Sequence, residues 1–327
     1  MSPRGALVVA LLAGLAAICC PSRASAQLGC HVAMGNIQFG TVNDVGEGAS
    51  TAAGAMNVYC NSASTPYVRV CIALGAPVAN SWDPRYLQGP TPTRLEYNIY
   101  TDAGYTQIWG SAYGTAGKQR AVDMSTSWGN SSATVPYYAK VPAQNSVPPG
   151  QYQATFQYAD DAAVRAVGYY GAPPPCTGTM PIVSRFEFSV FATVQADCSV
   201  SATTLDFGAS GVGLATAPVN ANSAITMTCA EGVNYSIALN AGQGSGATPA
   251  DRKLTRSGGP ETLLYRLYSD AARNRLWGDG STGTSTVSGT GNGVQSPRTH
   301  LVYGTLAAQP PSRAGQYGDT ITVTVTY

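Results

Sequence analysis

The sequence is poor in the residues that most catalytic and nucleic-acid-binding sites need. Charged residues make up 11% of the 327 positions, and the formal net charge is only +1. Such a balance gives no electrostatic basis for nucleic acid or an anionic membrane surface as a partner. Histidine occurs twice, as His31 and His300, each in or beside a predicted strand and outside any nucleophile motif. We therefore predict that the protein is not an enzyme and holds no cofactor, with a triad role for a histidine as the alternative.

Long amphipathic helical patterns are absent as well. Short runs of alternating apolar and polar residues recur instead, separated by clusters of Gly, Pro, Asn and Ser. This arrangement is typical of all-β proteins. The chain is long enough for two domains with cores of their own.

Long apolar runs are confined to the N-terminus. Ala6–Ile18 is apolar, and Ala24–Ala26 has the small residues of a cleavage site, so residues 1–26 are predicted to be a signal peptide. The alternative is a lipoprotein acylated on Cys19 or Cys20, which is weaker because a small residue is wanted before the modified cysteine. No later apolar run is long enough to span a bilayer, so we expect an exported, secreted product.

The residues that follow Cys198 repeat, in the same order, those that follow Cys30. The matched landmarks are Phe39-Gly40 with Phe207-Gly208, Cys60 with Cys229, Tyr67 with Tyr235, Tyr97–Asp102 with Tyr265–Asp270, Trp109-Gly110 with Trp277-Gly278, and Gly150–Tyr152 with Gly315–Tyr317. So many landmarks at nearly constant spacing indicate a tandem duplication. Each copy contains about six short strands, which favours two tandem immunoglobulin-like β-sandwiches.

Cysteine pairing follows from the repeat. Outside the predicted signal peptide the chain has six cysteines: Cys30, Cys60, Cys71, Cys176, Cys198 and Cys229. An even number in an exported chain favours disulfides, and the absence of a Cys-x-x-Cys motif argues against zinc. Equivalent positions suggest Cys30–Cys60 and Cys198–Cys229, which leaves Cys71 with Cys176. Free buried thiols are the alternative.

One strand lies between the two copies. Residues 185–196 alternate apolar side chains, beginning with Phe186, Phe188 and Val190, with mostly polar ones, which predicts a strand with one buried face. The second copy has no such segment after its own last strand. We therefore expect residues 27–197 to form a domain completed by this strand, and residues 198–327 to form a sandwich that lacks its last strand.

A sandwich without its edge strand exposes a groove and an unpaired backbone edge. We predict that the acceptor edge strand carries Ile321, Val323, Val325 and Tyr327, which alternate with threonines. A donor strand that buries five apolar side chains at about 2 kcal/mol each would return on the order of 10 kcal/mol. Once the predicted signal peptide is removed, only Gln27–Gly29 precede Cys30. These are too few residues to donate a strand, so we expect a subunit that terminates a polymer.

The repeated pattern resembles a known family. Each copy shows Cys…Phe-Gly…Cys and then Tyr-x-x-Tyr-x-Asp…Trp-Gly, and the second ends in Gly-x-Tyr-x-Asp-x-Ile-x-Val-x-Val-x-Tyr. This resembles the spore coat U domain of pilins from the archaic (Csu-type) chaperone–usher pathway, over residues 30–158 and 198–327. The first copy departs from the pattern, since its final strand lacks the Asp and it has the additional pair Cys71 and Cys176.

The resemblance implies a function and a set of partners. A two-domain member without a donor segment resembles the tip adhesin of such a pilus, secreted through the periplasm to the cell surface. The implied partners are a periplasmic chaperone, an outer-membrane usher, and an adjacent pilin that gives its donor strand. The implied function is attachment to an abiotic or host surface and biofilm formation.

Candidate surface-binding residues lie on predicted loops of the first copy. They are Trp82, Tyr86 and Leu87 on one loop, Trp128 on a second, and Val164, Val167, Tyr169 and Tyr170 on a third. Apolar residues on Gly- and Pro-rich loops favour an exposed binding surface, although large aromatic residues usually bury and can cap the sandwich instead. Two other functions stay open. One is a glycan-binding module that uses Trp82, Trp128 or Tyr86, and the other is a secreted structural coat protein of a spore or cell.

Overall fold

The structure is a computed structural model that describes residues 27–42, 48–90, 92–111, 118–144, 147–157, 162–209, 216–281, 283–310 and 313–327. The predicted signal peptide, with Cys19 and Cys20, lies outside these residues. All regular secondary structure in the described part is β-strand, so the all-β prediction is confirmed. The immunoglobulin-like order of the strands stays a prediction.

In the part of the chain that the structure describes, twelve strands precede Cys198, and we call them the N-terminal unit. They are β1 (Gly29–Ala33), β2 (Ile37–Val42), β3 (Ser50–Asn61), β4 (Tyr67–Leu74), β5 (Arg85–Gln88), β6 (Arg94–Tyr100), β7 (Arg120–Ser125), β8 (Ser131–Val141), β9 (Gly150–Phe156), β10 (Ala162–Tyr169), β11 (Ile182–Arg185) and β12 (Phe188–Val194). The sheets have the strand orders β1-β3-β8-β6-β5-β9-β12-β2 and β11-β10-β4-β7, and both contribute side chains to one hydrophobic core.

The remaining strands form the C-terminal unit. They are β13 (Cys198–Ala202), β14 (Val219–Cys229), β15 (Asn234–Leu239), β16 (Arg252–Arg256), β17 (Thr262–Tyr268), β18 (Val287–Thr290), β19 (Arg298–Leu306), β20 (Tyr317–Gly318) and β21 (Val323–Thr326). Their strand orders are β13-β14-β19-β17-β16-β20 and β18-β15-β21, and they enclose a separate, smaller core.

The three predicted disulfides are all present. Cys30–Cys60 joins β1 to β3 at directly paired positions, and Cys198–Cys229 joins β13 to β14 in the same way. Cys71–Cys176 fastens the segment after β10 to β4. Arg69 Nη1 donates to the carbonyl oxygen of Pro174 in that segment at 2.7 Å. Five consecutive residues of β10, Ala162–Ala166, are buried, so both faces of the strand are covered there.

The duplication is visible in hydrogen bonds that the two units share. Arg85 and Arg252 are completely buried, and each donates through Nη2 to the carbonyl oxygen of the repeated tryptophan. The distances are 2.6 Å to Trp109 and 3.0 Å to Trp277. Buried charges need such partners, so these arginines are structural residues that fasten the hairpin containing each tryptophan.

One matched pair of the sequence repeat is wrong. Trp109 donates through Nε1 to the carbonyl oxygen of Ile72, and Trp277 donates in the same way to the carbonyl oxygen of Ile237. Tyr235, two residues before Ile237 and buried, therefore corresponds to Val70 and not to Tyr67. Tyr67 is 43% exposed at the start of β4, which makes it particular to the N-terminal unit.

Candidate functional site

β12 lies between β9 and β2 in the large sheet of the N-terminal unit. It pairs antiparallel with β9 and parallel with β2. Phe188 and Val190 lie opposite Phe156 and Ala154, and the rings of Phe188 and Phe156 stack with centroids 4.3 Å apart. Phe186, Phe188 and Val190 are all buried, as the alternation of the sequence predicted for this segment.

The C-terminal unit repeats the edge against which β12 packs. Gly150 and Gly315 have φ angles of +153° and +158°, which favour glycine. Two residues later, the hydroxyl groups of Tyr152 and Tyr317 donate to the carbonyl oxygen four residues earlier, at 2.7 and 2.6 Å. The pairs Gln88–Gln153 and Thr255–Gly318 have the same register. Tyr317, Asp319 and Ile321 therefore correspond to Tyr152, Ala154 and Phe156 of β9.

A groove lies where β12 would be in the C-terminal unit. It has a volume of about 1140 Å³, and no strand of the described residues fills it. We call it the C-terminal groove, and its floor and walls include Leu205, Phe207, Tyr265, Tyr317, Ile321 and Val323. Leu205, Phe207, Tyr317, Ile321 and Val323 are only partly buried against the core, whereas Phe156 of the N-terminal unit is completely buried.

The predicted acceptor edge needs a partial correction. Ile321 and Val323 line the groove, but Val323–Thr326 forms β21 and pairs with β15, as β10 pairs with β4. Val325 and Tyr327 therefore belong to the edge of the three-stranded sheet, the edge that β11 occupies in the N-terminal unit. The edge beside the groove is 315–321. The alternation of threonine and apolar residues continues from one sheet into the other, so the sequence pattern does not show where the chain changes sheets.

A carboxylate lies on the inward face of this edge. Asp319 Oδ2 accepts a hydrogen bond of 2.7 Å from the hydroxyl group of Tyr265, and Oδ1 accepts one of 2.7 Å from the backbone N–H of Gln243. Burial, together with the hydrogen bond to Asp319, raises the pKa of Tyr265 well above its ordinary value. Tyr265 consequently stays protonated and fixes the carboxylate inside the groove.

A second candidate site lies at one end of the N-terminal unit, where three segments meet. Ala63 N–H donates to the carbonyl oxygen of Gly129 at 3.0 Å, and Tyr170 donates through its hydroxyl group to the carbonyl oxygen of Ser64 at 3.2 Å. These bonds join the β3–β4 connection to the β7–β8 turn and to the end of β10. The aromatic residues there, which we call the aromatic end, are Tyr59, Tyr67, Trp128, Tyr169 and Tyr170.

The aromatic end exposes large rings to solvent. Trp128 is 100% exposed, Tyr170 is 72% exposed, and Tyr59 and Tyr67 are nearly half exposed. The rings of Tyr67 and Tyr169 stack with centroids 5.5 Å apart. Exposed aromatic rings gathered at one place are a feature of interaction surfaces, because a folded monomer gains nothing from them.

Trp128 projects because of the turn that carries it. Ser127 and Asn130 exchange two backbone hydrogen bonds, and the residues between them, Trp128 and Gly129, have φ angles of +52° and +80°. Two such angles define the tight hairpin turn that favours Asn-Gly or Gly-Gly. A tryptophan in the left-handed region costs about 1–2 kcal/mol, and no packing offsets this cost here. The requirements of the fold therefore do not explain why a tryptophan stands at position 128.

Three of the tyrosine hydroxyl groups at the aromatic end, those of Tyr59, Tyr169 and Tyr170, are bonded within the protein. Tyr59 donates through its hydroxyl group to Asn130 Oδ1 at 3.1 Å, and Tyr169 donates to Asp123 Oδ1 at 3.2 Å. Arg69 donates to both carboxylate oxygens of Asp123 and keeps the pKa of that carboxyl below its usual range. Because these hydroxyl groups are engaged, Tyr59, Tyr169 and Tyr170 present mainly the carbon faces and edges of their rings.

Several residues predicted for the surface lie elsewhere. Val164 and Leu87 are completely buried in β10 and β5, so their prediction as exposed loop residues is wrong. The segment from Ala162 is a strand because it pairs with β4 along its whole length. Val167 is half-buried on β10.

Trp82 and Tyr86 are half-buried and separate from the aromatic end. Lys118 Nζ lies 4.8 Å from the ring centre of Trp82, beyond the end of β4 opposite to Tyr67. Arg94 packs over Tyr86 in the same manner, at 5.8 Å. Of the predicted set, the structure brings together only Trp128, Tyr169 and Tyr170. Tyr59 could have been found from the sequence, because it lies in the exposed phase of β3 between buried Val58 and Cys60.

The described residues contain no group of three or more His, Cys, Asp and Glu side chains that could hold a metal ion. His300 shares a hydrogen bond of 2.8 Å with the hydroxyl group of Tyr235, and burial lowers its pKa. In the same part of the chain, no helix is long and apolar enough to cross a membrane.

Comparisons with known proteins agree with this architecture. The family model of the Spore Coat Protein U domain matches residues 17–159 and 184–324. No curated protein sequence matches the chain. The fold is similar to the CsuC–CsuE chaperone–tip adhesion subunit pre-assembly complex from archaic chaperone–usher Csu pili of Acinetobacter baumannii, with a TM-score of 0.51 and 19% identity over 91% of this chain and 100% of that chain. A weaker similarity, with a TM-score of 0.38 and 12% identity over 91% and 94% of the two chains, links it to the CupB6 tip adhesin from Pseudomonas aeruginosa.

Proposed function

Because the chain belongs to the Spore Coat Protein U domain family, we propose that it is the tip subunit of a chaperone–usher pilus. In this role the C-terminal groove accepts a donor strand, first from a periplasmic chaperone and then, at an outer-membrane usher, from the adjacent pilin. The N-terminal unit attaches the pilus to an abiotic or host surface and so supports biofilm formation. The protein acts by binding and assembly, without catalysis, at the cell surface.

One observation carries the proposal. The same strand position is filled by β12 in the N-terminal unit and left as a groove in the C-terminal unit. An unpaired edge beside partly exposed apolar side chains recruits a strand, because main-chain hydrogen bonds and apolar burial both contribute. The pairing of β12 with β9 and β2 supports the proposal, because a strand of this chain fills the same position in the N-terminal unit.

The arrangement of the N-terminal unit suits attachment at its far end. Pairing register, followed from β8 through β6, β5 and β9, places Val194 at the opposite end of the sheet from Ser131. Ser131 follows the turn of Trp128, whereas Val194 leads into the linker to Cys198. The aromatic end therefore points away from the place where the chain leaves the unit.

Ring faces favour an apolar or aromatic target over a sugar. The hydroxyl groups of Tyr59, Tyr169 and Tyr170 are already used within the protein, while specific sugar recognition needs free polar groups that fix orientation. A glycan-binding module is the second candidate, because exposed Trp128 and the Tyr67–Tyr169 stack suit the face of a sugar ring. Competition by free sugars separates the two candidates.

Separate expression of residues 27–197 and 198–327 in an oxidising periplasm tests strand acceptance. We expect 27–197 to be monomeric and protease-resistant by itself. We expect 198–327 to aggregate unless a chaperone or an added strand peptide is present. Cooperative unfolding of 198–327 without either addition would contradict the proposal and leave a secreted coat or binding protein.

A further inference from the structure

The two units line the same strand position with different side chains. In the N-terminal unit Val190, at the centre of β12, lies opposite Ala154. The equivalent edge residue of the C-terminal unit is Asp319. Directly opposed residues of an antiparallel pair have Cβ atoms about 5 Å apart on the same face. The side chain of an incoming strand that takes the place of Val190 therefore meets the carboxylate of Asp319.

The carboxylate of Asp319 can accept one more hydrogen bond. It accepts from the hydroxyl group of Tyr265 and from the backbone N–H groups of Gln243 and Thr320, whereas a carboxylate has about four acceptor positions. A valine opposite it would remove water from the charged group and return no hydrogen bond. A serine or threonine would replace that water with a hydroxyl donor, and hydrogen bonds to charged groups are among the stronger ones.

The rest of the position keeps its apolar character. Phe207 packs edge-on against Tyr265 with ring centres 6.0 Å apart, as Phe39 packs against Tyr97 at 6.2 Å. Ile321 stands where Phe156 receives the ring of Phe188. An occupant with the direction of β12 consequently needs a large apolar residue opposite Ile321 and a hydroxyl-bearing one two positions later.

We propose that Asp319 determines which strand the C-terminal groove accepts. It favours a strand with serine or threonine opposite it and disfavours the chain's own β12 sequence, which carries Val190 there. This inference rests on the proposed function, since it assumes that the groove accepts a strand. It gives the subunit a means of excluding β12 from a second copy and of selecting the strand of a different protein.

Two synthetic peptides test the proposal on the full chain. One has the sequence of Arg185–Gln195, and the other has serine in place of the residue equivalent to Val190. We expect the serine peptide to bind the full chain about tenfold more tightly, as judged by fluorescence polarisation of labelled peptides. Plain apolar burial predicts the reverse order, so the sign of the difference is decisive.

Variants of Asp319 test whether this residue causes the preference for the serine peptide. With Asp319→Ala the position becomes like Ala154, and we expect the β12 peptide to bind more tightly than the serine peptide. Asp319→Asn keeps the shape of the side chain and decides the matter should the alanine variant fail to fold. On the asparagine variant the preference for serine must shrink severalfold, and an unchanged preference would overturn the proposal.

The outcomes separate this inference from the proposed function. If the β12 peptide binds the unaltered chain as tightly as the serine peptide, selection by Asp319 is wrong while strand acceptance holds. If neither peptide binds the full chain at any concentration at which it stays soluble, both the inference and strand acceptance are wrong.

Discussion

Single residues at the aromatic end contribute little to the fold, and this is why we propose that they contact a partner. Trp128 makes the point most clearly, because it is wholly exposed and has a backbone conformation that disfavours bulky side chains. Its counterparts in ordinary hairpins are asparagine or glycine. A residue that costs stability and packs against nothing is what the proposed attachment surface predicts.

Replacement of Trp128 separates binding from folding. With Trp128→Asn we expect attachment of piliated cells to fall at least severalfold, while the melting temperature stays equal or rises, since asparagine tolerates the left-handed region. Crystal-violet retention on plastic and calorimetry are the measurements. Trp82→Ser is the matched control, because Trp82 lies beyond the opposite end of β4. Undiminished attachment of Trp128→Asn would remove this residue from the binding surface.

At the scale of elements, β12 fills a position in the N-terminal unit that no described strand fills in the C-terminal unit. It pairs on both sides, and its inward side chains Phe188, Val190, Ala192 and Val194 are buried. The alternation that predicted this strand survives in the structure because one of its faces meets the core. β10 gave no such signal, because the segment fastened by Cys71–Cys176 covers its second face and both phases of the strand are buried.

A charge on the buried face of β12 should unfold the N-terminal unit. Val190 is completely buried, so Val190→Asp places an unpaired carboxylate in the core and costs several kcal/mol. Protease resistance of residues 27–197 is the measurement, and we expect it to be lost. Glu187→Ala, at an exposed position directly before the strand, is the control and should change little. Full resistance of Val190→Asp would show that β12 is dispensable.

For the whole molecule, two separate cores predict two unfolding events. The N-terminal core is shared by both of its sheets, and the C-terminal core has one side open to the groove. A ligand that binds only the native state stabilises the unit it binds, by about 2.7 kcal/mol at a concentration one hundred times its Kd.

Calorimetry of the full chain therefore gives a direct test. We expect two transitions, of which only the one at lower temperature rises when a strand peptide is added. The higher transition belongs to the N-terminal unit, whose strand position is already filled by β12. A single cooperative transition, or a shift of both transitions together, would contradict the independence of the units.

What the sequence determined by itself is local or repeated. The duplication, the three disulfides and the buried face around Phe188 all follow from spacing and period, which tertiary structure does not alter. Arg85 and Arg252 were missed, since a charged residue in the core looks like a surface residue until its carbonyl partners are known.

Tertiary structure alone decided where distant segments meet. The aromatic end joins residues near positions 60, 128 and 170, and no local pattern shows that Tyr59, Trp128 and Tyr170 share a surface. It also placed Val164 in the core and set the groove edge at 315–321, because burial depends on what covers a strand and pairing depends on which sheet the chain enters. Period and spacing report a residue's own element, whereas exposure and neighbours are properties of the packed chain.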